Sequence, residues 1–433
     1  MSIWKTFRLG LIHVAVAVSL VPITGVLNRI MIHELGLLAS LVAALIILPH
    51  LLSPLQVVIG QYSDRHPLWG YRRTPYIALG LLFCIGGAAF TPAAALLMAE
   101  NFWLGLACAI GAFFVWGLGF NLAVVSYLSL ASDLAPEHQR SRTIAVMWFM
   151  MITAVIVTAI TTGRALEVYS PERLIEVFTI VAGVALLIGA LGLIGLEPRN
   201  AVASSTEERY TARESIGAVI ANPHARLFFV YLMLLLAAIL GQDVLLEPYG
   251  AAAFGMSVRE TTQLTATWGG ATLLALLLQG FLFSRVMSKK TGATIGALIA
   301  AIGFLLIAFS GLLHRQPFFV PGIAVLGFGT GIATSTNLAL MLDMTTRESV
   351  GLFIGAWGVA DAAARGLGNL FAGVVRDIAG YLLGSATAGY ITVFVLEALI
   401  LVVALFLLRR VDVSAFRSER VSMTQLIAIA GDA

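Results

Sequence analysis

The chain has 433 residues, of which 59% are hydrophobic and 11% charged, and its formal net charge is +3. A mean hydropathy of +0.95 leaves too little polar surface to cover a water-soluble fold. A soluble enzyme and a basic nucleic-acid-binding domain are both excluded, and a polytopic membrane protein remains.

About 20 apolar residues cross a bilayer as a helix. The sequence predicts twelve such spans, at roughly 8–29, 37–62, 75–96, 103–131, 143–166, 174–196, 224–248, 262–287, 293–313, 317–342, 350–375 and 386–408. Lipid offers the backbone no hydrogen-bond partner, so the expected fold class is an all-α integral membrane protein. The first run passes straight into Asn28 and Arg29 without a small-residue cleavage site, and it reads as the first span rather than a leader. If the N-terminus is cytoplasmic, most of the 26 Lys and Arg gather on that side, so both termini are expected in the cytoplasm. Cys84 and Cys108 fall within spans and indicate neither a disulfide nor a compartment.

Residues 197–222 form the long polar interruption and separate an N-terminal half, 1–196, from a C-terminal half, 223–410, with 411–433 as a tail. Spans 4 and 10 carry an internal repeat: GLGFNLAVVSYLSLASD (117–133) aligns without a gap on GFGTGIATSTNLALMLD (327–343). The 2–3 loop has an echo in the 8–9 loop. Gly60, Asp64 and Arg65 answer to Gly280, Ser284 and Arg285, and each set is followed by a basic pair, Arg72-Arg73 or Lys289-Lys290. Two parallel six-helix halves are expected. Asp64 lies near a helix C-terminus, and the arginines can reach helix ends and acids on neighbouring spans. Gly60, Asp64, Arg65, Arg72 and Arg73 therefore read either as a cytoplasmic latch or, more plainly, as solvated topology determinants.

This loop, repeated in degraded form, resembles the signature of the major facilitator superfamily. TGVLNRIMIHELGL (24–37), SDRHPLWGYRRTPYI (63–77) and QDVLLEPYGAAAFGMS (242–257) together resemble the PucC/LhaA (Bch2) family of phototrophic bacteria, over essentially the whole chain. The resemblance implies a light-harvesting complex assembly factor that carries bacteriochlorophyll or chlorophyll as cargo to antenna apoproteins. It also implies light-harvesting or reaction-centre membrane subunits as partners, and the inner or intracytoplasmic photosynthetic membrane as location. It supplies no catalytic residue and no ligand set.

Polar groups at membrane depth are costly and mark functional candidates. Asp243 and Glu247, at the end of span 7, are four residues apart and expected on one helical face, where they either share a proton or cap the mouth of the span; Pro248 and Tyr249 are expected to end the helix. Asp361 and Arg365 in span 11 have the spacing of an ion pair, structural or directed at cargo. Glu397, midway along span 12, has no partner at helical spacing, whereas Asn121, Asn337 and Gln279 suit interhelical hydrogen bonds. Magnesium in a chlorin takes an axial ligand. His50, between Pro49 and Pro54 in span 2, and His13 in span 1 are the candidate imidazoles, with Glu397 and Arg365 as further pigment contacts; a buried histidine is also often a hydrogen-bonded structural residue. The sequence shows no phosphate loop, metal cluster or nucleophile with a base, so neither catalysis nor nucleic-acid binding is expected. An alternative function is proton-coupled secondary transport of a small organic solute, with the carboxylates and Arg365 as the coupling set.

Overall fold

Where the chain meets lipid it forms helices, and the places where those helices break are the places with chemistry. The computed structural model describes residues 2–136, 139–199, 217, 223–343 and 350–411; the linker from 200 apart from residue 217, the tail from 412, and the side chains of Asp64 and Arg65 lie outside the described residues. In chain order the helices are α1 (Ile3–Pro22), α2 (Ala39–Ile46), α3 (Leu48–Leu51), α4 (Leu55–Arg65), α5 (Thr74–Glu100), α6 (Phe102–Leu134), α7 (Arg140–Ala165) and α8 (Pro171–Leu193). They continue as α9 (Pro223–Gly241), α10 (Leu246–Phe254), α11 (Val258–Phe281), α12 (Lys289–Leu312), α13 (Gln316–Asp343), α14 (Val350–Leu382) and α15 (Ala386–Arg410).

Ten helical stretches among the described residues are long and apolar enough to cross a membrane. The other two of the twelve expected spans are present in altered form. Span 11 is α14, whose apolar course is interrupted by Asp361, Arg365, Arg376 and Asp377. Span 2, a single run over 37–62 that its prolines were expected to loosen, is three pieces, α2, α3 and α4. Pro49 and Pro54 are the physical reason: each lacks an N–H and its ring crowds the preceding turn. The Pro49 carbonyl is taken up by the Asn121 side-chain amide at 2.7 Å.

Two more spans are interrupted. After Pro22, α1 widens into π-helical turns at Ile23–Leu27 and Ile30–Glu34. Span 7 leaves α9 at Gly241, passes through a 3₁₀ turn, Gln242–Val244, and resumes as α10. Pro248 and Tyr249 do not end this span, as the sequence suggested; both lie in α10, with Pro248 in its first turn, where a missing N–H costs nothing. The two interrupted helices are the first of each six-span set.

The chain divides into two compact units, Met1–Thr206 with Gly255–Ala266, and Glu207–Phe254 with Thr267–Ala433. In the first unit α5 and α6 pack backbone to backbone, α1 lies against α7 and α8, and Leu9, Ile12, Ile77, Leu81 and Tyr127 form part of the core. A Cβ on Gly80 would stand 2.5 Å from the Ala123 nitrogen, and one on Gly119 would collide with Cys84. In the second unit, α12 and α13 pack the same way: a Cβ on Gly296 would stand 2.5 Å from the Ala333 nitrogen, and one on Gly329 would collide with Ala300. Gly119 and Gly329, like Ala123 and Ala333, coincide in the sequence repeat. The repeat is therefore a packing rule: small residues let two helices approach closely enough for dispersion to hold them where lipid supplies no hydrophobic drive.

Candidate functional site

In the first unit the 2–3 loop folds back on itself through a tight turn. Leu68 and Tyr71 exchange both backbone hydrogen bonds at 2.9 Å. The two residues between them, Trp69 and Gly70, have φ of 53° and 80°. Two successive positive φ values are the signature of a type I′ turn, which Gly accepts freely and Trp does not. The turn returns the chain so that Arg72, Arg73 and Thr74 enter α5 beside Glu197, just past the end of α8.

The Glu197 carboxylate accepts from the backbone N–H groups of Arg72 (2.8 Å), Arg73 (3.1 Å) and Thr74 (2.7 Å), and from the Thr74 hydroxyl at 2.7 Å. It thus caps α5, where unsatisfied N–H groups and the positive end of the helix dipole favour an anion. The Arg73 guanidinium, 1% exposed, donates to Ser63 Oγ at 2.6 Å and lies 3.5 Å from Asp133 at the end of α6. Ser63 in turn donates to the Gly60 carbonyl at 3.0 Å. In the second unit Lys289 pairs with Asp343 at 2.6 Å, and Lys290 donates to the carbonyls of Arg409 and Val411, at the end of α15, at 3.1 and 2.8 Å. Asp133 and Asp343 are the last matched pair of the repeat. Each unit therefore ties the entry of one helix to the ends of two others.

Glu197 escaped the sequence reading because it was assigned to the linker. The available signal was an acid placed directly after the apolar run of span 6. Asp133 and Asp343 were visible in the repeat, though not as partners of the basic pairs.

The second unit carries the charge cluster. Arg365, on α14, donates from Nε to Asp361 Oδ2 at 3.1 Å and from Nη1 to Asp243 Oδ2 at 3.3 Å. Asp243 Oδ1 accepts from Gln242 at 2.7 Å. The Asp361–Arg365 contact has the helical spacing visible in the sequence; the bond to Asp243 joins α14 to the break in span 7 and could be inferred only from opposite charges at similar depth. Asp243 and Glu247 were expected on a common face. The 3₁₀ turn removes them from one regular helix: Asp243 turns to Arg365, and Glu247 is buried in α10. Glu397 is 1% exposed, and neither of its carboxyl oxygens has a hydrogen-bond partner among the described residues. It sits beside Gly241, where a Cβ would lie 2.8 Å from Glu397 Oε1.

The two histidines differ. His13 is buried between Tyr127 and Trp148, with ring centroids 5.0 and 5.6 Å away, and its Nδ1 has no hydrogen-bond partner among the described residues. His50 is half-buried in α3, at the broken part of span 2. His50 is the more exposed of the two, and His13 is enclosed by its aromatic neighbours.

Residues 26–416 match the family described as PUCC protein. The chain belongs to this family. It is 34% identical over 425 residues to Protein PucC of Cereibacter sphaeroides, covering 94% of this chain and 92% of that one. It is 31% identical over 415 residues to the protein named bacteriochlorophyll synthase 44.5 kDa chain of Rhodobacter capsulatus, covering 92% and 93%. In fold, it resembles a bacterial homologue of the lysosomal transporter Spinster, with TM-score 0.73 and 15% identity over 97% of this chain and 98% of that one. It also resembles a D-xylose–proton symporter, with TM-score 0.67 and 16% identity over 94% and 97%. The family member described here is thus a multi-pass α-helical membrane protein with the major facilitator fold.

Proposed function

We propose that the chain is an assembly factor for photosynthetic light-harvesting complexes, which binds bacteriochlorophyll or chlorophyll as cargo and hands it to antenna or reaction-centre membrane subunits. The observation that carries this is the family match across 26–416, which takes in spans 2 to 12, among them the broken spans 2 and 7 and the charged span 11, and the 2–3 loop. A relative of nearly the same length bears the name of a bacteriochlorophyll synthase chain, which ties the family to the same pigment. The role is one of carriage and hand-over rather than catalysis, in the inner or intracytoplasmic membrane with both termini in the cytoplasm. His50 is the first candidate for the axial position on magnesium, being the imidazole left accessible by the break in span 2; His13, Glu397 and Arg365 follow.

A second reading, proton-coupled transport of a small organic solute, is favoured by one specific feature. Secondary transporters often build substrate and ion sites at discontinuous helices, and span 7 breaks at Asp243, which meets Arg365. Deleting the gene in its own host distinguishes the two. Loss of antenna absorption in the membrane, with pigment synthesis intact and restoration by the wild-type gene, is expected for assembly. A full antenna complement in the deletion strain would overturn it.

A further inference from the structure

Among the polar groups within the second unit, Glu397 has the least to hold it. Its carboxyl lies midway along α15, 1% exposed, and neither oxygen meets a hydrogen-bond donor among the described residues. It lies beside Gly241, which α14 also approaches: a Cβ on Gly241 would be 2.8 Å from Glu397 Oε1 and 3.1 Å from the Gly368 carbonyl. The glycine therefore leaves the room the carboxyl occupies. An ionised carboxylate without a partner in such a place costs so much that a group ordinarily takes up a proton instead.

The charges nearby reinforce this. Asp243 follows two residues after Gly241, the glycine beside which the Glu397 carboxyl lies. Arg365 holds one positive charge, already divided between Asp361 and Asp243. With all four groups ionised the set carries two net negative charges; one proton removes one of them. The other elements packed against α15 carry further charged or titratable groups among the described residues; on α9, His224 and Arg226 lie in the first turn, at the opposite end of that helix from Gly241. From α10 come Glu247 and Tyr249, whose hydroxyl donates to the Ile307 carbonyl at 3.1 Å. On α14, Arg376 pairs with Asp377 at 2.8 Å and covers the ring of Tyr390, a residue of α15 itself. On α12, Lys289 and Lys290 are engaged at the far end with Asp343 and with the Arg409 and Val411 carbonyls at the end of α15.

We propose that Glu397 and Asp243 form a proton-binding site in the second unit, in which Glu397 carries the proton and Asp243 lies on the route by which it is exchanged. The ligand is a proton rather than a metal cation, because a hard cation needs a shell of oxygen ligands and no group of three or more His, Cys, Asp or Glu that could hold one occurs among the described residues. The exchange is a single proton transfer: Glu397 gives its hydroxyl proton to water admitted at the Asp243 side, and the carboxylate left behind competes with Asp243 and Asp361 for Arg365. Asp243, Asp361 and Arg365 are each about a third exposed, and charged groups at this depth face water rather than lipid. Proton loss is thereby tied to the partners of Arg365 and to the broken turn of span 7. The site stands whether the cargo is a pigment or a small solute.

Infrared spectroscopy of the full chain in liposomes tests this. At neutral pH the wild type should show a protonated-carboxyl C=O stretch that Glu397→Gln removes, and Asp243→Asn, which takes away the neighbouring negative charge, should lower the pH at which that band disappears by about one unit or more. Wild-type and Glu397→Gln spectra that superimpose at neutral pH would overturn the proposal, as would a band whose titration is the same in Asp243→Asn. The Asp243→Asn titration stands on its own if Glu397→Gln does not fold.

Discussion

Arg365→Leu is expected to be among the most damaging single substitutions in the second unit. It leaves Asp243 and Asp361 facing one another with no cation between them, and stranding a buried charge costs on the order of 3–5 kcal/mol. The groups are about a third exposed, so the low end of that range applies. Asp361→Asn should cost much less, because Arg365 keeps Asp243 at 3.3 Å. Replacing all three charged residues with apolar ones of similar size should recover much of the lost stability while removing activity. Thermal unfolding of the detergent-purified variants checks the order: Arg365→Leu lowest, the triple variant and Asp361→Asn well above it. Equal melting temperatures for Arg365→Leu and Asp361→Asn would mean that Asp243 is not held by Arg365.

Glu197→Ala should lower the stability of the first unit by on the order of 3 kcal/mol, since a charged acceptor is lost by three backbone N–H groups and one hydroxyl. Glu197→Gln should fall between, because the amide keeps one acceptor oxygen and sets an NH₂ group against a donor. By contrast, changing Arg199, which reaches the Tyr71 hydroxyl at 3.2 Å on an exposed edge, should have little effect. Yield and thermal unfolding of the three variants measure this, and a Glu197→Ala protein as stable as wild type would show that the cap contributes nothing.

The helical class, the spans and the repeat were legible because each rests on local pattern: apolar length for a span, recurring Gly and Ala for close helix contact. The ion pair at Asp361 and Arg365 was legible for the same reason, a four-residue spacing on one helix. What the sequence withheld was set by distant partners or by backbone breaks. Pro49 and Pro54 signalled a loosened span 2 but not its division into three helices, and nothing local indicated that Asn121 would take the Pro49 carbonyl. Asp243 and Glu247 were placed on one face by assuming a regular helix through Gln242–Val244, where the chain is 3₁₀. Glu197 bonds to residues more than 120 positions earlier, a distance no spacing rule spans.

Whether this chain carries a chlorin is decided by the absorption spectrum of the protein purified in detergent from a pigment-producing host. A near-stoichiometric red or near-infrared chlorin band is expected, lost or blue-shifted in His50→Leu and retained in His13→Leu. A colourless wild-type protein that accumulates a labelled solute in vesicles would contradict pigment carriage and leave the transporter reading in its place.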